Sequence, residues 1–313
     1  MPERVRAGEL GGDHLSDAVD PAEVERALAA HGYLPGEGLA TAVFLALRLR
    51  RPLLLEGEAG VGKTELAKAL SRWTGGELLR LQCHEGIDVT AAVYEWDHAR
   101  QLLHIRAAEA AGAAGDVDAL EAGLYDERFL IRRPLLEAVT PREGPPPVLL
   151  VDEVDRADDE FEAFLLEVLS DYAVTVPELG TVRAEVPPVV VVTSNRTRDV
   201  SDALKRRCLY HWVEHPPFDR EVEIVRLRAP EVSERLARHV AAAVEGIRAS
   251  GVWKPPGVAE AIDWAVALAA LGRSALDAGS AAATLGTVLK YREDQDRVRG
   301  GLDELVAQAV ARA

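Results

Sequence analysis

The chain has 313 residues, 48% of them hydrophobic and 28% charged, and its 52 acidic against 36 basic side chains give a formal net charge of −16. That length buries a sizeable core in one large or two ordinary domains, and the acidic balance argues against general attraction to nucleic-acid phosphate or anionic lipid, so any basic function has to be local. Two cysteines, Cys83 and Cys208, lie far apart without CxxC spacing, MPERVRAGELGGDH lacks an apolar signal core, and no apolar run is long enough to span a membrane; the expectation is a cytoplasmic protein with neither disulfide framework nor membrane span.

Residues 1–20 are polar and Gly-containing and read as a loose tail, after which Asp20-Pro21 offers a cap and a first helical residue for a helix to about Ala30. Leu39, Val43, Phe44 and Leu47, spaced at three and four, predict a second helix leading through Arg51-Pro52 to a buried strand, Leu53, Leu54 and Leu55. Further apolar runs recur between helical patterns: LLRLQ at 78–82, VLLV at 148–151, VVVVT at 189–193 and YHWV at 210–213. Strands alternating with helices imply a parallel α/β sheet. An accessible polar segment is expected at 84–101, and the Ala-rich stretch at 107–122 is helix-prone with Gly interruptions. After His215-Pro216-Pro217 the strand pattern stops and Ala-, Leu-, Val- and Glu-rich helical patterns continue to Ala313, so a smaller all-helical domain is expected beyond the Pro-Pro pair.

The first strand runs into LLLEGEAGVGKTEL, in which Gly57, Gly62, Lys63 and Thr64 complete the pattern GxxxxGK[ST]. A strand before and a helix after are the context this motif requires. Across Gly57, Glu58, Ala59, Gly60, Val61, Gly62, Lys63, Thr64 and Glu65, backbone N–H groups can turn inward on nucleotide phosphates while the helix N-terminus adds partial positive charge. Lys63 is expected to bridge the β- and γ-phosphates of ATP, and Thr64 to offer its hydroxyl to Mg²⁺.

Asp152 and Glu153 end the apolar run of PVLLVDEVDRAD, at the carboxyl end of a buried parallel strand, where α/β sheets place their ligands. Asp152 is expected to hold Mg²⁺ and Glu153 to orient and deprotonate the water that attacks the γ-phosphate. Asp155, Asp158 and Asp159 fit better as acids beginning the next helix. The following strand also ends in polar residues, Thr193, Ser194 and Asn195, and the neutral Asn195 can hydrogen-bond phosphate or water without repelling it.

In this order, the phosphate loop, the Asp-Glu pair, Asn195 and the helical tail resemble an AAA+ ATPase, and RLQCHEGIDVTAAVYEWDHARQLLHIRAAEA (80–110), TSNRTRDVSDALKRRCLYHW (193–212) and KPPGVAEAIDWAVAL (254–268) resemble more narrowly the MoxR-type branch, closest to the CoxD-like group that accompanies carbon monoxide dehydrogenases. The resemblance implies a P-loop NTPase αβα sandwich with a parallel sheet over 33–215, a tail and helix over 1–32, and an all-helical lid over 216–313. It also implies a homo-oligomeric ring, a hexamer, that hydrolyses ATP to remodel a client, such as a metalloenzyme, with a von Willebrand factor A-domain partner. An insert at 83–105 and a hairpin at 173–186 would then project toward a central pore. Arg206 or Arg207, at the end of the helix after the Asn195 strand, would reach the ATP of the neighbouring subunit, where a planar, permanently charged donor suits the transferring phosphoryl group. The chain departs from many relatives where a lid arginine is expected, because Pro255-Pro256-Gly257-Val258 has none, and neither Lys254 nor Arg273 is assigned that role.

A nucleic-acid-acting AAA+ ATPase, such as a transcriptional activator or a restriction or replication motor, is the competing reading; the acidic balance and the lack of an appended helix-turn-helix signal weigh against it. A small-molecule P-loop kinase is disfavoured by Glu153 and by the helical tail. A metal centre from Cys83, His84, His98 and His104 lacks ligand spacing.

Overall fold

The structure, a computed structural model, describes residues 20–110 and 123–313. The tail expected over 1–20, except Asp20, and residues 111–122 of the Ala-rich run lie outside the described residues. The described chain divides into two compact units, one containing Thr41–Leu55 and Leu70–His211, the other Pro21–Ala40, Glu56–Ala69 and Trp212–Ala313.

In the first unit, β1 (Leu53–Glu56), β2 (Leu78–Gln82), β5 (Val148–Asp152), β8 (Val189–Ser194) and β9 (Leu209–Trp212) form one sheet in the order β2-β5-β8-β1-β9. β5 pairs parallel with β2 on one side and β8 on the other, Leu150 standing opposite Arg80 and Val191. Every residue of β5 is buried, the reason it reads as an unbroken apolar run. This is a parallel five-stranded P-loop αβα fold with flanking helices, followed by a helical C-terminal region.

Leu149, Val151, Val190 and Val192 pack with Leu135 and Leu136 of a short helix, Pro134–Val139, and with Phe161, Leu165 and Leu169 of the helix Asp159–Asp171. Asp158 caps that last helix, its side chain accepting the Phe161 amide at 2.8 Å. Asp155 does not help to begin it. It is buried and accepts from the Asn195 amide at 3.2 Å and from the Thr197 amide and hydroxyl at 2.8 and 2.7 Å, fastening the loop after β8.

Two small antiparallel sheets accompany the main one. β6 (Ala173–Val176) and β7 (Gly180–Arg183) form a hairpin within 173–186, closed by the Leu179 amide on the Val176 carbonyl at 3.1 Å. β3 (Tyr94–Trp96) pairs with β4 (Leu130–Arg132), a strand pair that the sequence pattern did not signal. Within 84–101 the polar residues His84, Glu85, Asp88, Thr90, Glu95, His98 and Arg100 are exposed, as expected of an accessible polar segment, while Ile87, Ala92, Val93 and Trp96 between them, and Gln101, are buried. Ile87, Ala92 and Val93 join the core of this unit, so apolar spacing within a mostly polar stretch decides its burial.

The second unit is helical. Helices Phe218–Arg228, Glu234–Ala249, Val258–Ala270, Ala278–Val288, Arg292–Arg299 and Leu302–Arg312 follow β9. Their core surrounds the fully buried Trp264, whose indole N–H donates to the Thr284 hydroxyl at 2.7 Å, which in turn donates to the Ser280 carbonyl at 2.7 Å. A polar tip satisfied in this way lets a large aromatic side chain fill a core without leaving an unpaired group. Ser233 and Asp277 cap two of these helices.

Candidate functional site

Apart from Arg206 and Arg207, the predicted residues fall in two clusters, one in each unit. In the helical unit, β1 hands over to a loop that turns into the helix Lys63–Thr74. A side chain at Gly57 would place its Cβ 2.4 Å from the Val213 carbonyl oxygen, so the first glycine of the motif is required by close backbone approach. Gly62 has φ +96°, the left-handed turn that lets the chain enter the helix. Lys63 is buried, and its Nζ donates to the carbonyls of Gly57 at 2.7 Å and Glu58 at 2.6 Å, curling the side chain back along its own loop. Thr64, in the first helical turn, is half-buried, while Glu58 and Ala59 are exposed.

Glu58 meets His215 Nε2 at 3.0 Å. Glu65 is held by Arg228 at 2.7 Å and Lys68 at 3.2 Å; burial alone would raise its pKa, but these two cations carry it below the ordinary carboxylate value. Tyr33, which sequence reasoning did not select, is buried beside the same loop, its ring 3.9 Å from where a Cβ on Gly62 would stand. Burial, and then the charge of Glu65, push the Tyr33 phenol upward, so it stays a neutral hydroxyl.

The other cluster sits at the carboxyl ends of β5 and β8. Asp152 is only 3% exposed; its Oδ1 accepts the Thr193 hydroxyl at 2.6 Å, and its Oδ2 accepts Arg80 Nη2 at 2.6 Å and Nε at 3.1 Å. Glu153 adopts a left-handed backbone, φ 55° and ψ 51°, a conformation uncommon for a residue with a side chain and one that clusters at functional sites. Its amide donates to Thr193 Oγ1 at 2.9 Å. Its carboxylate accepts Asn195 Nδ2 at 3.2 Å on one oxygen, and Gln82 Nε2 at 3.1 Å with Arg156 Nε at 3.3 Å on the other. Asp152, Glu153 and Asn195 are therefore joined in one network through Thr193 and direct contact; Thr193 reads in the sequence only as part of a polar strand end, and Arg80 and Gln82 are partners that sequence reading passes over.

Cys83 lies buried next to these acids, and burial followed by the charges of Asp152, Asp155, Glu153 and Glu162 pushes its thiol up to about 12. It is a thiol, not a thiolate.

Arg206 and Arg207 end the helix Asp202–Arg207 with exposed side chains. That terminus is clasped from within the unit: the Arg51 guanidinium donates to the carbonyls of Arg206 at 2.7 Å, Arg207 at 3.0 Å and Cys208 at 3.3 Å. A cation on the last carbonyls satisfies acceptors that the helix leaves open.

Residues 52–208 match the family described as AAA domain, dynein-related subfamily. Among solved structures, a candidate ATPase from Cytophaga hutchinsonii is 14% identical, with 94% of this chain and 95% of that one covered at a TM-score of 0.48. A point mutant of RuvB from Thermotoga maritima is 15% identical, covering 91% of this chain and 76% of its own at a TM-score of 0.46.

Proposed function

Because the chain belongs to the AAA domain family, in its dynein-related subfamily, we propose that it is an ATP-hydrolysing ring protein of the MoxR type, closest to the CoxD-like group, that remodels or matures a client protein. The observation that carries the chemistry is the Glu153 carboxylate, held by Asn195, Gln82 and Arg156 beside a buried Asp152. The donor set fits Mg²⁺, a hard cation that takes oxygen ligands: the Asp152 carboxylate and the Thr64 hydroxyl would hold it. Bound with the nucleotide, Mg²⁺ supplies charge neutralisation on the phosphate oxygens.

In this reading the loop Gly57–Glu65 cradles the phosphates, and Lys63 exchanges the carbonyls of Gly57 and Glu58 for the β- and γ-phosphate oxygens. Asn195 and Glu153 share the attacking water. Glu153 takes its proton as the water oxygen bonds to the γ-phosphorus, the bond from that phosphorus to the bridging oxygen breaks, and ADP and phosphate leave. Arg206 or Arg207 supplies a guanidinium to the site of the next subunit, which is why we read the active species as a homo-oligomeric ring, a hexamer. The three MoxR-like stretches support a cytoplasmic role with a von Willebrand factor A-domain partner and a metalloenzyme client.

Titration with labelled ATP and a phosphate-release assay test the chemistry. Lys63→Ala is expected to lose binding, whereas Glu153→Gln keeps binding and loses turnover, because Lys63 contacts ground-state phosphate and Glu153 acts on the water. Equal loss of binding in both variants overturns the assignment, and stimulation of turnover by DNA or RNA overturns the protein-client reading.

A further inference from the structure

The helix Val258–Ala270 begins directly on the phosphate loop. Its first two amides, Val258 N and Ala259 N, have no partner within the helix, and both donate to the Gly60 carbonyl, at 2.9 and 3.4 Å. The approach is backbone to backbone. A Cβ on Gly257 would fall 2.6 Å from Gly60 Cα and 2.7 Å from its carbonyl carbon, and a Cβ on Gly60 would fall 2.9 Å from Gly257 Cα. Neither position has room for any other residue.

The segment that presents Gly257 is anchored from behind. Arg248 Nε donates to the Pro256 carbonyl at 2.7 Å, and the same guanidinium makes a two-pronged ion pair at 2.7 and 2.8 Å with Glu221, which is only 1% exposed. The amides of Trp253 and Lys254, just upstream of Pro256, donate to the buried Asp294 carboxylate at 2.7 and 3.1 Å. Glu260 Oε2 accepts the Gly257 amide at 3.0 Å, fixing the first turn. A buried charge pair kept in this geometry is an expensive way to hold a carbonyl, and the carbonyl it holds is the one before Gly257.

We propose that Gly257, braced by Arg248 and Glu221, positions the phosphate loop for nucleotide through this glycine–glycine backbone contact, so that the loop and the helix Val258–Ala270 respond to phosphate as one piece. The physical link is the Gly60–Val61 peptide. In a trans peptide the carbonyl and the following N–H point in opposite directions. A carbonyl turned toward the helix therefore sets Val61 N–H facing away from it, and hydrogen bonds on that carbonyl polarise the same amide into a better donor. A phosphate taking that amide strengthens the bonds from Val258 and Ala259 by the same polarisation. The proposal rests on the reading of the loop Gly57–Glu65 as an ATP site.

Hydrogen–deuterium exchange with Mg²⁺ and ADP, together with titration of labelled ADP, tests it. In the wild type, saturating ADP is expected to slow exchange at Val258 and Ala259 at least tenfold, and Gly257→Ala to weaken ADP binding at least tenfold. Gly286→Ala, whose added Cβ meets only Gln295 Nε2 at 3.6 Å in the same unit, is expected to leave affinity unchanged. Arg248→Met should raise KM for ATP well beyond its effect on kcat. Unchanged affinity in Gly257→Ala, or no change in exchange at the two amides when ADP saturates the wild type, overturns the proposal, and the second result decides even if Gly257→Ala fails to fold. Failure of the wild type to bind any nucleotide would instead overturn the ATP reading beneath it.

Discussion

Replacing Thr193 by valine would keep the shape of a buried side chain and remove one hydroxyl, yet that hydroxyl carries two duties. It donates to Asp152 Oδ1 at 2.6 Å and accepts the Glu153 amide at 2.9 Å, so its loss strips a buried carboxylate of a donor and leaves a part-buried amide without this acceptor. A hydrogen bond to a charged group contributes about 1.5–3 kcal/mol, and an unsatisfied buried group costs about 1–3 kcal/mol. Arg80 still serves the other oxygen of Asp152, which favours the low end of the first figure. The expected destabilisation is about 3 kcal/mol, a fall in Tm of about 6–12 °C for a domain of 150–250 residues. Activity should fall further than stability implies. The Glu153 amide anchors a left-handed residue, and without that anchor the carboxylate no longer holds its place against Asn195. Since a positioned general base contributes about 10²–10⁴-fold, kcat at saturating ATP should drop about a hundredfold, measured by phosphate release at a temperature where the variant remains folded. Thr193→Ser, which restores the hydroxyl, should recover most of both quantities. A Thr193→Val protein with wild-type Tm and kcat refutes the account of the network.

Three more outcomes follow from particular contacts. Burial, and then Arg235, hold the His239 pKa below its ordinary 6.5, and its Nδ1 accepts the Leu276 amide at 3.2 Å, which an imidazolium could not do. Between the folded and unfolded pKa values the unfolded chain binds the extra proton, so this contribution is complete above pH 6.5 and is lost as pH falls toward the folded value; urea midpoints from pH 7.5 to 5 should drop more steeply for wild type than for His239→Gln, and superimposable curves refute it. Arg80→Gln removes the cation paired with Asp152 at 2.6 Å and should lower the Mg²⁺ concentration for half-maximal hydrolysis, an unchanged or raised requirement counting against the pairing as a competitor. Arg51→Ala frees the carbonyls at the end of the helix Asp202–Arg207 and should slow hydrolysis in the assembled protein with ADP affinity unaltered; wild-type turnover would show that the orientation of Arg206 and Arg207 does not depend on this clasp.

What the sequence made legible was local. LLRLQ marked β2 over its full length by alternation, its residues buried and exposed in turn, and the acids of PVLLVDEVDRAD fell where β5 ends, because a strand buried on both faces, as β5 is, leaves its composition in consecutive residues. The loop glycines were legible as a motif, although the clash that forbids a side chain at Gly57 involves Val213, far along the chain. Thr193 was legible as part of the polar end of its strand but not as the link between Asp152 and Glu153, and Arg80 and Gln82 left no comparable trace, since their importance lies in pairings across neighbouring strands and a lone Arg or Gln on a strand reads as a solvated side chain. Asp155 was assigned to a helix start by its neighbours, whereas its partners stand at Asn195 and Thr197. The segment at 84–101 is accessible at its polar residues, but its polar average hid the anchoring role of Ile87, Ala92, Val93 and Trp96, which are buried.

The interleaving of the two compact units bears on how the protein is made. Residues Glu56–Ala69 leave the ribosome early, but the amides and side chains that grip them, at Val213, Arg228, Val258 and Ala259, are synthesised much later. Chains emerge at about 5–20 residues per second and fold as sections become available. The sheet strands through β8 can therefore collapse while the loop between β1 and its helix still lacks its supports. A nascent chain would carry the nucleotide motif in its sequence for about 10–40 s before it carried it in shape, and premature occupation by cellular nucleotide would be suppressed until the helix that begins at Val258 arrived.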